Sequence, residues 1–386
     1  MNTQLKTIFV FVFLFLVCTI RGTAQNFSID YPSYQYRNSD ALEISRIVRN
    51  DTATILYMDA YSRPNYWIRL ASGLSLHGNQ TGKNYPIIRS QGFELDKEVY
   101  MPASGNVTFS LQFAPLAPQE KMIDFIEGAN KGDFQIKSIS LNEQEKKGKI
   151  HCHISGKVID SPQSSRLVLM KAHKNPSSSP WLSIPIRNGE FQYDFYADHE
   201  EVYEVFIWND MLTGSWLPSL FFAENGPVSF TLYPASTRKP GLVSTSSPLT
   251  CELQQLESER KAKFNFDSLY AQMNKLYEEN RFESEALQTL WKKIEQVKDN
   301  NEERNNIYRE RDRLEESGEA YTEEGKALLA KIKQLNEEMN QWTIKHIKQN
   351  PSLPGLYVLT SKTEMARKGE DVTPFLNAYQ ETFASL

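Results

Sequence analysis

Three groups of residues in this 386-residue chain are of types that could do chemistry. The first is His151-Cys152-His153. On an extended strand the two imidazoles would share one face, the beginning of a metal site, and Cys152 would turn to the other face with Ile150 and Ile154. Further ligands would have to come from His173 or His199, and no ligand spacing connects them. The pair reads as a wet strand face, with no metal or other cofactor expected. The second group is Cys152 with Cys251. In an oxidising compartment they could form a disulfide, or each could remain a separate buried thiol. No Cys-x-x-Cys occurs.

The third group is aromatic. Tyr61, Arg63, Tyr66 and Trp67 combine rings with a guanidinium and could stack on a sugar or a peptide, while Trp181, Trp208 and Trp216 could build a second ligand surface. Core and rim packing accounts for the same residues. Asp124, Glu127 and Asp133 could line an acidic cleft. Carboxylates for glycoside hydrolysis must face each other at a defined separation, however, and these read as solvated loop charges. No nucleophile–base pair, phosphate loop or metal signature is present, so no catalytic residue is assigned and a non-enzyme is expected.

Short strands must carry the first two thirds of these residues. Leu42 to Arg49 alternates apolar and polar side chains, and Thr52 to Tyr57 follows an Asn50-Asp51 turn, the pattern of a hairpin. Strand-length runs follow at Tyr66–Leu70, Tyr85–Arg89, Val107–Phe113, Met122–Phe125 and Phe134–Leu141. No helical crossover separates them, which favours an antiparallel sandwich or barrel-like module over 25–145. A second β-module, 146–236, contains Lys149–Val158, Arg166–Met170 and the Asn188-Gly189 pair suited to a type I′ turn. Val202–Trp208 is apolar on both faces and suits a central position. Residues 237–250 lie in a Pro-, Ser- and Thr-rich connector.

From 251 to 386 the apolar period changes to three and four, at Phe266, Leu269, Met273 and Leu276, then at Leu287, Leu290, Trp291 and Ile294. Asn301–Glu316 is nearly all charged. Thr322 caps a long helix whose stripe of Leu328, Ile332, Leu335, Met339 and Trp342 suits an intramolecular helical hairpin or a coiled-coil dimer. The fold class expected is multidomain α+β, two β-modules followed by a helical region.

The leader sets the address. Lys6, the apolar run Ile8–Val17 and Gly22-Thr23-Ala24 form a signal peptide with cleavage after Ala24, which implies an exported, periplasmic protein. Val17 before Cys18 argues against a lipoprotein anchor there. With 43 basic and 48 acidic residues and a net charge of −5, nucleic acid is not an expected partner.

The order of motifs in the central module resembles the amino-terminal accessory region of exported thiol-disulfide oxidoreductases of the TlpA/ResA type in Bacteroidetes. That region is a β-domain of unknown function followed by a helical segment. The resemblance rests on Gly156-Lys-Val158, Leu167–Leu169, Asn188-Gly-Glu-Phe191, the strand at Tyr203, and Phe221-Phe-x-Glu-x-Gly226. In the front module Met101-Pro-Ala-Ser-Gly105, Phe109–Pro115 and Ile123–Gly128 look like a β-domain that precedes it in some relatives. The family's thioredoxin domain is missing here, so its reductase activity transfers to no residue. The resemblance implies an exported, non-catalytic binding protein with an envelope protein as partner. The alternative is a substrate-recruiting partner, or detached front half, of a thioredoxin-like reductase acting in trans. Asp51-Thr52-Ala53 and Asp267-Ser268-Leu269 also fit the three-residue pattern of periplasmic O-glycosylation in that phylum, Thr52 being the better placed.

Overall fold

The computed structural model describes residues 27–384, apart from 131, 143–146, 162–163, 177–178, 180, 298–300 and 367–369. The expected leader, with Cys18, lies outside them. The chain is α+β and divides into two compact units, one ending at Ser244 and the next starting at Thr245. Both β-modules belong to the first unit.

The front module supplies β1 (Phe27–Asp30), β2 (Tyr36–Arg37), β3 (Leu42–Arg49), β4 (Thr54–Tyr61), β5 (Trp67–Ile68), β6 (Ser75–Gly78), β7 (Asn84–Gln91), β8 (Val99–Tyr100), β9 (Asn106–Phe113), β10 (Met122–Ile126) and β11 (Gln135–Ser140). Nine of these form one curled, half-barrel sheet in the order β1-β3-β4-β9-β7-β6-β10-β11-β2, and β5 pairs with β8 alone. Alternation drives the curl. Ile47, Leu56, Met58, Leu111, Phe113, Ile123 and Phe125 all turn into one core, each essentially inaccessible to solvent. The β3–β4 turn is built by Asn50, whose side-chain oxygen accepts from the amides of Thr52 and Ala53.

The central module supplies β12 (Ile150–Val158), β13 (Arg166–Lys171), β14 (Leu182–Pro185), β15 (Glu190–Ala197), β16 (Val202–Ile207), β17 (Ser219–Phe222), β18 (Gly226–Leu232) and β19 (Leu242–Thr245), with the short helix α1 (Trp208–Leu212) after β16. They make two four-stranded sheets, β15-β12-β18-β19 and β14-β13-β16-β17. β12 pairs antiparallel with β15 and parallel with β18, and β13 with β14, β13 with β16 and β16 with β17 pair antiparallel. Cys152, Ile154, Leu167, Leu169, Val205, Phe221 and Val228 fill the space between the sheets.

Asn188 and Gly189 both have positive φ, 53° and 77°, as a type I′ turn requires. The strands it joins nevertheless part at once into opposite sheets. Pro185 has no amide hydrogen to donate, and the Ile186 amide bonds to Ser165 instead. β16 is buried along its whole length between β13 and β17. The connector is less open than its composition suggests, because β19 extends the first sheet beside β18.

The second unit holds α2 (Pro248–Lys263), α3 (Asp267–Glu278), α4 (Glu285–Gln296), α5 (Asn301–Ser317), α6 (Glu323–Gln349), α7 (Leu353–Glu364) and α8 (Thr373–Thr382). Thr322 caps α6, its hydroxyl oxygen accepting from the Gly325 amide at 3.0 Å. The stripe of α6 is used within the chain: Trp342 meets Phe264 edge-on at 5.9 Å. α8 begins at Thr373 with Pro374 in its first turn, and Val372 is at the cap. Among the described residues no helix is long and apolar enough to cross a membrane.

Candidate functional site

The two β-modules meet along a seam of charged and aromatic side chains. Arg166, the first residue of β13, is 1% exposed although nothing in its sequence context marks it as a core residue. Its guanidinium lies 4.3 Å from the ring centre of Tyr61 and 4.2 Å from that of Trp208. Nη1 donates to the Asp40 carbonyl at 2.7 Å, and Nη2 to the Asp40 carboxylate at 3.2 Å. A delocalised planar cation suits this site, since it can bond in its plane and stack on both faces.

The pattern continues outward. Trp181 lies under Arg166 at 5.4 Å and under Arg37 at 4.7 Å. Arg37 is paired with Glu43, a buried carboxyl that burial raises above the ordinary range while Arg37 partly offsets the rise. Farther along, Arg187 reaches Asp59 at 3.4 Å and donates to Thr108 at 3.3 Å. Tyr31 packs on Tyr193 with ring centres 4.3 Å apart. The contacts of Arg166 with Tyr61 and Asp40, of Arg37 with Trp181, of Arg187 with Asp59 and Thr108, and of Tyr31 with Tyr193 join the front module to the central one.

Beside the seam opens a cleft of about 580 Å³. Tyr31, Tyr34, Trp181, Tyr193, Tyr196 and Tyr203 supply its aromatic walls, with Leu169 and Leu182 between them and Lys149, Lys171 and Asp194 among its polar lining. Tyr31 sits at φ 47°, a left-handed conformation that is costly for a bulky residue and is retained here where its ring packs on Tyr193.

Strand β15 borders this cleft and is the edge of its sheet. The His151 amide of β12 points to the β18 side, bonding Asn225, and the Val158 amide points to the β15 side, bonding Gly189. By that alternation Gln192 and Asp194 of β15 turn their backbone groups away from β12. Neither has a backbone partner on that open side among the described residues.

His151 and His153 share one face and both engage a single carboxylate oxygen of Asp194, at 2.8 and 3.0 Å. Burial raises the Asp194 carboxyl, but the hydrogen bonds to His153 and His151 outweigh it and leave it below the usual range. His151 also stacks on Tyr196. Among the described residues no group of three or more His, Cys, Asp or Glu is placed to hold a metal ion.

The other sequence candidates divide. Tyr61, Trp181 and Trp208 come together around Arg166, and of the three only Trp181 also lines the cleft among the described residues. Trp216 stacks on Phe206 beside Trp208, as packing. Arg63, Tyr66 and Trp67 lie elsewhere on the front module, with Tyr66 and Trp67 exposed.

Cys152 and Cys251 are both free thiols in this structure. Cys152 is buried in the first unit and bonds the Glu224 carbonyl, whereas Cys251 is exposed in the second. The three loop carboxylates are structural rather than solvated. Asp124 accepts from Asn79 and the Ser138 amide, Glu127 from the amides of Ala71 and Phe134, and Asp133 from the Asn130 amide. Thr52 is exposed in the β3–β4 turn.

Sequence reasoning missed Arg166, Glu43 and Asp59. For Arg166 the available signal was its place on a strand two residues before the core residue Val168.

No protein family and no curated protein matches the chain. Among solved structures it is similar to CBMbc, of family CBM26, from Eubacterium rectale Amy13K in complex with maltoheptaose. The identity is 11% over 46% of this chain and 93% of that one, with a TM-score of 0.19. It is also similar to translation elongation factor SelB from Methanococcus maripaludis in its apo form, at 8% identity over 58% of this chain and 51% of that one, with a TM-score of 0.13. Likenesses at these scores carry no argument.

Proposed function

We propose that this chain is an exported, non-catalytic binding protein that takes an extended segment of another protein into the cleft between its β-modules. One observation carries the reading: an aromatic-walled cleft of about 580 Å³ is bordered by the open edge of β15. An extended peptide would bond the outward backbone groups of Gln192 and Asp194 and lay alternate side chains against the tyrosines. The Arg166 seam would keep the cleft's walls at a fixed separation, which lowers the ordering cost of binding.

The resemblance of the central motifs to the accessory region of thioredoxin-like oxidoreductases suggests such an enzyme, or its substrate, as the first partner to try. Site-specific photo-crosslinking in cells tests the proposal. A benzophenone side chain at Ser33 or Lys171, both on the cleft, should trap the same partner, and one at Thr52 should not. Equal trapping from Thr52, or none from either cleft position, would contradict it.

A further inference from the structure

The surface opposite in character to the cleft is the small sheet of β5 and β8. Its two strands place Trp67 directly across from Tyr100, so both rings lie on one face. Trp67 is 49% exposed and Tyr100 59%, with Tyr66 beside them at 58%. Indole rings are seldom left this open without a partner. Arg69 follows β5 and Glu98 precedes β8, both exposed. Glu98 accepts a hydrogen bond from the Tyr100 hydroxyl at 2.8 Å, and the Arg63 guanidinium lies 6.0 Å from the Tyr66 ring.

We propose that Trp67 and Tyr100 form a platform for a neutral oligosaccharide. A pyranose ring has a face of C–H groups that stacks on an aromatic plane, and a rim of hydroxyls that both donate and accept. This face offers the complement: two adjacent rings, with a guanidinium to donate and a carboxylate to accept alongside. Around the rings Arg63, Arg69 and Lys97 are balanced by Glu94, Asp96 and Glu98, with Lys97 paired to Glu94 and Arg69 beside Asp96, which favours a neutral sugar over an acidic one.

Area argues against a protein as occupant. The open parts of the two aromatic side chains amount to about 150–250 Å², whereas a stable protein interface needs about 800 Å² from each partner. The ring of Arg63, Arg69, Lys97 and Glu98 around the patch supplies no apolar surround to enlarge it. This surface is separate from the cleft in the residues it uses, so it stands or falls independently of the peptide-binding proposal.

Affinity electrophoresis of the full chain tests it, in native gels containing soluble amylopectin, hydroxyethylcellulose, glucomannan or xylan, with alginate as the acidic arm. Retardation is expected by at least one of the neutral polymers. It should weaken at least tenfold in Trp67→Ala and in Tyr100→Ala, and persist in Ser33→Trp, which blocks the cleft. Thermal melts of the variants check folding, and Trp67→Phe should retain part of the binding. Retardation by none of the neutral polymers, retardation by alginate alone, or neutral-polymer binding unchanged in Trp67→Ala would overturn the proposal. Chemical crosslinking that captured a protein through this face, lost in the same variants, would also overturn it.

Discussion

Arg166 and Asp40, 126 residues apart in sequence, are joined twice: one guanidinium nitrogen meets the Asp40 carboxylate at 3.2 Å and another its backbone carbonyl at 2.7 Å. Asp40 is half exposed while Arg166 is buried, so the two partners are not equivalent. Arg166→Ala removes both bonds and the ring stacking, and should cost about 3–5 kcal/mol. Asp40→Ala leaves the carbonyl bond and should cost about 1–2 kcal/mol. Urea unfolding of both variants gives the order, and a larger loss from Asp40→Ala would contradict this account of the seam.

Glu204, in the middle of β16, is 5% exposed. Burial raises its carboxyl to about 7, and a hydrogen bond from the His173 backbone offsets only part of the rise. A carboxyl that holds its proton more tightly when folded contributes stability below its unfolded value, and loses it as pH climbs through the folded one. Glu204→Gln should therefore exceed the wild type by about 1–2 kcal/mol at pH 8.5, allowing for some solvent screening. The gap should close near pH 5. Stability curves that stay parallel from pH 5 to 8.5 would show that Glu204 is not the group titrating.

The two described thiols should differ in reactivity. Burial pushes the Cys152 thiol up to about 12, and only a hydrogen bond to Glu224 opposes it; since the thiolate is the nucleophile, Cys152 should be inert at pH 8. Iodoacetamide followed by peptide mass mapping should find Cys251 modified and Cys152 untouched until denaturant is added. Equal labelling of both in the native protein would contradict the burial of Cys152.

Gly156 explains one motif position in physical terms. A Cβ there would lie 2.2 Å from the Phe230 carbonyl oxygen and 2.9 Å from the Phe191 ring. The parallel approach of β12 and β18 thus requires a residue without a side chain at this point. Gly156→Ala should cost about 3 kcal/mol in thermal or urea unfolding, through overpacking against backbone that cannot yield. A loss below about 1 kcal/mol would mean the strands can separate there without penalty.

What could be read from sequence followed local rules. The β3–β4 turn at Asn50, the Asn188-Gly189 turn and the Thr322 cap are set by residues within a few positions of one another, and each was legible. The partition of β14 and β15 into opposite sheets was not, because it depends on where the Ile186 amide finds a partner far along the chain. The seam was hidden for the same reason. Arg166 reads as the polar first residue of a strand, and only long-range packing brings Tyr61, Trp181 and Trp208 around it. Those three rings were singled out for ligand binding, but the fold spends them on its own cation. The cleft nearby is walled by Trp181 together with tyrosines that carried no local signature.

In the proposed mode of binding, β15 accepts an extended peptide by its backbone. Panning displayed random dodecapeptides on the full chain, with counter-selection on Ser33→Trp, isolates cleft ligands. The affinity of the best peptide is then measured by fluorescence polarisation, before and after N-methylation of alternate residues. In one of the two registers methylation should weaken binding at least tenfold, because it removes the amide hydrogens facing Gln192 and Asp194, and in the other it should have little effect. No enrichment over Ser33→Trp, or equal affinity with either register methylated, would contradict the claim.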